Sequence, residues 1–353
     1  RHQGRRAVHD GGDQGQPVTA IDPELLPGAR NAIRVCLAVQ PHERVTLITD
    51  DACLAIARAL EQEIRDVGAP CTMYVLEEIA PRPLEKLPDA VAAGLEQSAV
   101  SIFAAHAQTN ELGSRMQMTD IVNRRRMRHA HMVNITGQIM RDGMRADYRA
   151  VDRLSSRVYD IVRRAGTIRA TTPAGSDIRA DFDPDLRWVK TSGLISPEKW
   201  GNLPGGEVFT APGNVNGTFV IDGVVGDWLC DRYGMLKDTP LTVTVRDGRL
   251  VDAQSDNREL REDFWKYTHT DENSDRVGEF AIGTNIELRE VIGHILQDEK
   301  FPGIHVAFGD PYGQHTGADW KSTTHIDVVA TRFNIWVDDR QIMEDGRFLI
   351  SDF

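Results

Sequence analysis

The residues best able to do chemistry gather between Gly303 and Asp327, where His305, Tyr312 and an H-x-D pair, His325 and Asp327, follow one another closely. His325 and Asp327 stand two apart in THIDVVA, a β-branched run that reads as a strand, so both side chains project from one face. One cation could take both. Imidazole and carboxylate suit zinc, manganese, cobalt or ferrous iron, and the pair alone does not choose among these ions. An H-x-D on a strand equally describes a hydrogen-bonded surface pair, so neighbouring segments must strengthen the metal reading.

Three further segments do so. Glu207 in NLPGGEVFTAP and Glu279 in VGEFAIGTN are each a glycine-preceded acid entering an apolar strand, and His305 in GIHVAFG has apolar neighbours on both sides. Singly, the acids would fit edge-strand charges and His305 a satisfied core histidine. Together, Glu207, Glu279, His305, His325 and Asp327 supply three carboxylates and two imidazoles. That inventory fits two adjacent divalent cations with one bridging carboxylate better than a single zinc. Two ions roughly 3.5–4 Å apart lower the pKa of a shared water and stabilise a tetrahedral intermediate, which points to hydrolysis by a metal-bridging hydroxide. Glu299 in QDEKFPGIH is the nearest spare carboxylate for shuttling protons, although a solvated helix end explains it as well. His315, in the loop that also carries Asp310 and Trp320, reads as surface or substrate-facing.

The elements that must position these residues divide into two textures. Residues 1–20 lack periodicity and read as a disordered arm or expression remnant, with His2 and His9 unconvincing as ligands. Over residues 21–165 the periodicity predicts a helix from Pro23 to Val39, a strand at Arg44–Asp50, an amphipathic helix ending at Gly68, and a strand from Ala69. A helix at Pro88–Glu96, a strand at Ala99–Ala105 and a strand MVNIT follow, giving an α/β domain of Rossmann-like winding. No G-x-G-x-x-G opens a helix there, which argues against nucleotide binding. The basic run Arg124–His131 reads as a solvated helical face rather than an anion patch.

From residue 166 to 353 short β-rich runs between Gly, Asp and Pro turns predict a β-rich, antiparallel, barrel-like catalytic domain. Helices interrupt it at Asn257–Lys266 and Ile286–Ile295. The net charge of −12 over 353 residues argues against nucleic acid or an anionic membrane as partner and suits cationic substrates such as free amino termini. Cys36, Cys53, Cys71 and Cys230 show no C-x-x-C spacing and read as buried apolar residues in a reducing compartment. No apolar run reaches a membrane span and no signal-peptide core is evident, so a cytoplasmic location is expected.

Taken in order, PGGEVFTAP, GEFAIGTN, DEKFPGIHVAFGDPY and THIDV, with AGSDIRADF upstream, resemble the thermophilic metallo-aminopeptidases known as aminopeptidase T, aminopeptidase S or PepS, from about Thr171 to the C-terminus. That resemblance implies homodimers releasing amino-terminal residues from peptides with two divalent ions, cobalt, zinc, manganese or magnesium. It places the paired-metal ligands on Glu207, Glu279, His305, His325 and Asp327 and the active-site tyrosine on Tyr312. A compressed loop from Tyr312 to His325, and GDPYG in place of an alanine-tyrosine-proline sequence, depart from the family pattern and bear on which peptide or small amide fits.

The same fold group includes mononuclear Fe(II) dioxygenases that open hydroxylated pyridine rings with histidines and an H-x-D aspartate but lack the two glutamates. Retention of Glu207 and Glu279 favours the hydrolase. A metal-stabilised binding protein without turnover is the third class.

Overall fold

The computed structural model describes residues 21–351, so the arm read into residues 1–20 lies outside the described residues. The first half is built on alternating strand and helix: β1 (Val45–Thr49), α1 (Leu54–Val67), β2 (Cys71–Val75), α2 (Asp89–Glu96), β3 (Val100–Ala104), α3 (Leu112–Arg125) and β4 (Arg128–His131). These strands pair in parallel in the order β2-β1-β3-β4. β1 and β3 are buried throughout, as strands covered by helices on both faces must be. α1 stops where expected, at Gly68, whose positive φ of 86° lets the chain turn back into β2. A helix α4 (Tyr148–Val162) sends Tyr148 and Val151 into this core and Leu154, Val158 and Val162 into the next.

The second half is mostly antiparallel. Its strands are β5 (Thr167–Thr171), β6 (Asp177–Asp181), β7 (Val189–Thr191), β8 (Gly201–Asn202), β9 (Glu207–Thr210), β10 (Asn214–Ile221), β11 (Leu241–Arg246) and β12 (Arg249–Gln254). After helix α5 (Arg258–Tyr267) come β13 (Val277–Gly283), β14 (Gly303–Gly309), β15 (His325–Val329), β16 (Asn334–Val337), β17 (Arg340–Glu344) and β18 (Arg347–Phe348). One sheet runs β12-β11-β10-β6-β5-β16-β17-β18 and another β15-β14-β13-β9-β7, while β8 adds a parallel edge to β4 of the first sheet. Val208, Phe280, Ile282, Val306, Phe308, Ile326 and Val328 point from the β9–β15 sheet into the core shared with the larger sheet. Strict alternation therefore turns their neighbours to the other face.

Two segments differ from the sequence reading. Arg128–His131, read as part of a solvated helical face, is strand β4, and it takes the place expected for MVNIT. His129 and His131 are buried: Ser101 Oγ lies 2.8 Å from His129 Nδ1, and His131 stacks on Phe103 at 5.2 Å. The helix expected at Ile286–Ile295 is confined to a turn at Ile295–Asp298. Gly293 takes a φ of 82°, and the Asp298 carboxylate accepts the backbone N–H groups of Ile292, Gly293 and His294, which closes a loop instead of a helix.

Burial pushes the His129 imidazole from 6.5 down to about 3 and lowers His131 in the same sense. A histidine neutral in the fold but charged when unfolded makes the unfolded chain bind more protons below pH 6.5, so stability present above that pH is lost as pH falls. Each such histidine contributes a slope of about 1.4 kcal/mol per pH unit. Denaturant unfolding at a series of pH values below neutrality should show the decline, and His131→Phe should make it shallower. An unchanged slope in that variant would remove the assignment.

Candidate metal centre

Register brings the five expected ligands together. Gly283 of β13 faces Glu207 of β9, Ala281 faces His305 of β14, and Ala307 faces Asp327 of β15. Because side chains alternate, Glu279, Ala281 and Gly283 share the face of their partners, and His325 joins them two residues before Asp327. Four adjacent strands thus aim three carboxylates and two imidazoles at one place. At Gly283 an added Cβ would stand 1.9 Å from the Phe301 carbonyl oxygen, so the glycine lets the segment carrying Glu299 and Lys300 lie against β13.

The donors form two overlapping sets. Glu207, Glu279 and His305 offer ligand atoms all within 4.8 Å of one another, as do Glu279, His325 and Asp327. Glu279 belongs to both: its Oε1 lies 3.2 Å from His305 Nε2 and its Oε2 lies 3.7 Å from His325 Nε2. Glu207 Oε2 stands 3.5 Å from His305 Nε2, and Asp327 Oδ2 stands 3.5 Å from His325 Nε2. His325 Nδ1 lies 2.9 Å from the Asp310 carbonyl oxygen, an acceptor only, so that nitrogen carries the proton and leaves Nε2 free as a metal donor. Oxygen and imidazole donors in this arrangement fit divalent cations.

Burial works against charging His305, but its bond to Glu279 and the surrounding carboxylates push it up to about 9. Burial also opposes charge on His325, which Asp327 and Glu279 nevertheless raise to about 10. Burial together with the neighbouring Asp327 raises the Glu279 carboxyl, whereas Lys300 and His305 outweigh burial at Glu207 and hold its carboxyl low. Both imidazoles thus take up protons to balance the carboxylates, the role a cation would fill.

Two residues stand beside the donors. Glu299 is pushed up to about 8 by burial and by the carboxylates of Asp327 and Glu207, so it can gain and lose a proton near neutrality. Tyr312 takes a left-handed φ of 51°, its ring centroid lies 4.4 Å from that of His325, and burial together with Asp327 and Glu279 raises its phenol well above the usual value. The phenol therefore stays protonated at neutral pH. His315 lies outside the cluster, exposed on a helical turn whose His315 carbonyl accepts Arg187 Nε at 3.0 Å. Trp320 lies under the Arg276 guanidinium at 3.5 Å.

Sequence reasoning missed Lys300 and Thr191. Lys300 is fully buried, its Nζ 2.7 Å from Glu207 Oε1 and 2.5 Å from Glu299 Oε1. Thr191 Oγ1 donates to the same Glu207 oxygen at 2.9 Å, so Oε1 is satisfied and Oε2 is the atom left for an ion. A lysine that directly follows a candidate acid in DEKF was the available signal, but such a pair ordinarily reads as solvated charge.

A family model described as thermophilic metalloprotease (M29) matches residues 126–346. Among solved structures, the chain is similar to wild-type AmpT from Thermus thermophilus, at 17% identity and a TM-score of 0.67 over 94% of this chain and 100% of that one. It is similar also to 2,5-dihydroxypyridine dioxygenase from Pseudomonas putida KT2440, at 15% identity and a TM-score of 0.68 over 92% of this chain and 96% of that one. At these identities the likenesses show a shared fold. No curated protein sequence matches the chain.

Removing Lys300 leaves two buried carboxylates without their cation. Breaking a buried pair in this way costs about 3–5 kcal/mol. Lys300→Met should therefore lower the denaturant midpoint of metal-free protein by a loss in that range. A change within about 0.5 kcal/mol, the scale of ordinary surface substitutions, would show that the ammonium does not stabilise the fold.

Proposed function

The chain belongs to the thermophilic metalloprotease family, and from that membership we propose that it is a dinuclear aminopeptidase, releasing N-terminal residues from peptides or cleaving a related small amide. The observation that carries the two-ion reading is Glu279, one carboxylate shared between two donor sets. In this reading Glu207 and His305 would hold one ion, His325 and Asp327 the other, with Glu279 available to both. Divalent cations held there would supply a Lewis acid for the scissile carbonyl and lower the pKa of a bound water.

The protein's own groups do the rest. Glu299, with a carboxyl near neutrality, takes the proton of the attacking water and returns it to the leaving amine. Tyr312, whose phenol stays protonated, donates to the oxyanion that develops on the carbonyl. Lys300 keeps Glu207 directed by one oxygen while the other faces the ligand position. Pairing of two chains into a homodimer, a cytoplasmic location and the choice among zinc, cobalt, manganese and magnesium belong to the same proposal. Among the described residues no helix is long and apolar enough to cross a membrane.

The alternative is a mononuclear Fe(II) dioxygenase acting on a hydroxylated pyridine, with His305, His325 and Asp327 as the facial ligands. Buried Glu207 and Glu279 argue against it, since two additional carboxylates on one ferrous ion would fill the positions that oxygen and substrate need.

Metal analysis should find that Glu279→Gln carries two fewer divalent ions per chain than the unaltered protein and loses cleavage of aminoacyl arylamides. One iron per chain with oxygen uptake on a dihydroxypyridine would establish the alternative, and full peptidase activity in Glu279→Gln would sink the shared-carboxylate reading. Proton release gives a separate check. His305 and His325, raised to about 9 and about 10, are charged at pH 7 in metal-free protein and must be neutral to bind an ion. Adding zinc at that pH should expel protons from both, falling away as pH rises through those values. Calorimetry in buffers of different ionisation enthalpy reads the number, and none released would exclude the imidazoles as ligands.

A further inference from the structure

A second group of metal-ligating side chains lies far along the chain from the first, at the carboxyl ends of β1 and β3. Asp50 directly follows β1, Cys53 immediately precedes α1, and His106 follows β3. In the order β2-β1-β3-β4 the connections leaving β1 and β3 depart to opposite sides, so the chain ends there bound the crevice where open parallel sheets take their ligands.

Ligand atoms of these three residues all lie within 4.8 Å of one another. His106 Nδ1 is 3.9 Å from Cys53 Sγ and 3.5 Å from Asp50 Oδ2. A tetrahedral zinc ion with ordinary bond lengths holds a sulfur and an imidazole nitrogen about 3.6 Å apart. That pair therefore needs to move only a few tenths of an ångström, and Asp50 Oδ1, which accepts one N–H where Oδ2 accepts two donors, is the carboxylate oxygen left for an ion. A nucleophilic triad is a poor description of the same residues, because there the two nitrogens of the base face different partners. Here the single nitrogen Nδ1 faces both Cys53 and Asp50, as in a chelate. Burial also pushes the Cys53 thiol up, away from a free thiolate.

The surroundings carry the outer shell that such a site needs. Asp50 Oδ1 accepts the Cys53 N–H at 2.8 Å, and Oδ2 accepts the His106 N–H at 2.7 Å and Arg82 Nη1 at 3.0 Å, which fixes the carboxylate. Arg82 also pairs with Glu77 and Glu111, at 3.0 Å and 2.5 Å, and is itself buried with its side chain 3% exposed. Three carboxylates against one guanidinium leave two negative charges in this network, the charge that a divalent cation neutralises. The His106 side chain is 44% exposed, so solvent reaches the ligand position.

We propose that Asp50, Cys53 and His106 form a second metal site for a thiophilic divalent cation of the zinc class, separate from the peptidase centre. Binding replaces the Cys53 thiol proton, which passes to solvent, with a metal–sulfur bond, and the remaining position is left to water. The site ties the ends of β1 and β3 together where Arg82 already gathers their loops.

Cobalt(II) tests this directly, because a thiolate ligand gives a near-ultraviolet charge-transfer band that the peptidase centre, whose proposed ligands include no sulfur, cannot produce. Titration of the full-length chain with cobalt should develop that band, and zinc should abolish it. Cys53→Ser should lack the band while circular dichroism and arylamide cleavage show a folded enzyme. His106→Ala should weaken the binding that the band reports at least about tenfold, the loss that even outer-shell substitutions cause. Absence of the band in the unaltered protein overturns the proposal, as does a band that persists in Cys53→Ser or an affinity unchanged in His106→Ala. None of these outcomes touches the peptidase reading, which rests on other residues.

Discussion

Three carboxylates on one dry face of a sheet, with a fourth beside it, need cations to balance them. Glu207 and Glu279 are buried, Glu299 and Asp327 nearly so, and an isolated carboxylate loses several kcal/mol when taken out of water. The fold supplies one permanent positive charge, Lys300, to one side of the group. His305 and His325 supply the others only by holding protons far above their usual pH range. Divalent ions would relieve that demand and return the imidazoles to neutrality, so affinity for metal follows from how the acids are packed. Much of the second half serves this packing: β13 runs between β9 and β14, with Gly283 where a side chain would collide with the Phe301 backbone beside Lys300.

The loop over the site is held as firmly as the sheet beneath it. Asp271 accepts the Thr323 N–H and hydroxyl, each at 2.7 Å, and the Ser322 hydroxyl at 3.0 Å, and these bonds outweigh burial to hold its carboxyl far below the usual range. Asp310 accepts the Tyr312 N–H at 3.0 Å, while its own carbonyl faces His325 Nδ1. Tyr312 adopts a strained backbone inside this frame, a cost tolerated where surrounding bonds over-determine the conformation. The compressed segment noted in the sequence is thus a short, pinned strap that aims one phenol at the acids.

What was legible in the sequence was whatever depends on strand alternation. H-x-D places two ligands on one face whenever the segment is a strand, and glycines before Glu207 and Glu279 marked acids entering apolar runs. Partners contributed across the sheet were not legible. Lys300 looks like solvated charge beside Glu299, and only the register of β9 against β13 and β14 reveals its burial. His129 and His131 were hidden for the opposite reason. Arginines before the pair suggested a wet helical face, yet in β4 it is enclosed by Ser101, Phe103 and Trp200, contacts drawn from a neighbouring strand and from a loop 69 residues on from His131. The helix expected at Ile286–Ile295 fails through a local competitor, since three backbone donors turn to Asp298 instead.

The shared fold of a hydrolase and a ring-cleaving oxygenase places the decision between them in the number of acids. With His305, His325 and Asp327 alone, three protein groups would leave a ferrous ion open positions for oxygen and substrate. Glu279 alters that count because its two oxygens face two different histidines, which separates the donors into two sets rather than enriching one. Glu207 completes the second set, and its other oxygen is already taken by Lys300 and Thr191, so it can give one oxygen and no more. In the two-ion reading proposed above, a carboxylate that gives one oxygen and another shared between the sets would leave room beside the ions for a water and a carbonyl. On that reading the Lys300 ammonium, by occupying one oxygen of Glu207, would help to keep the centre open.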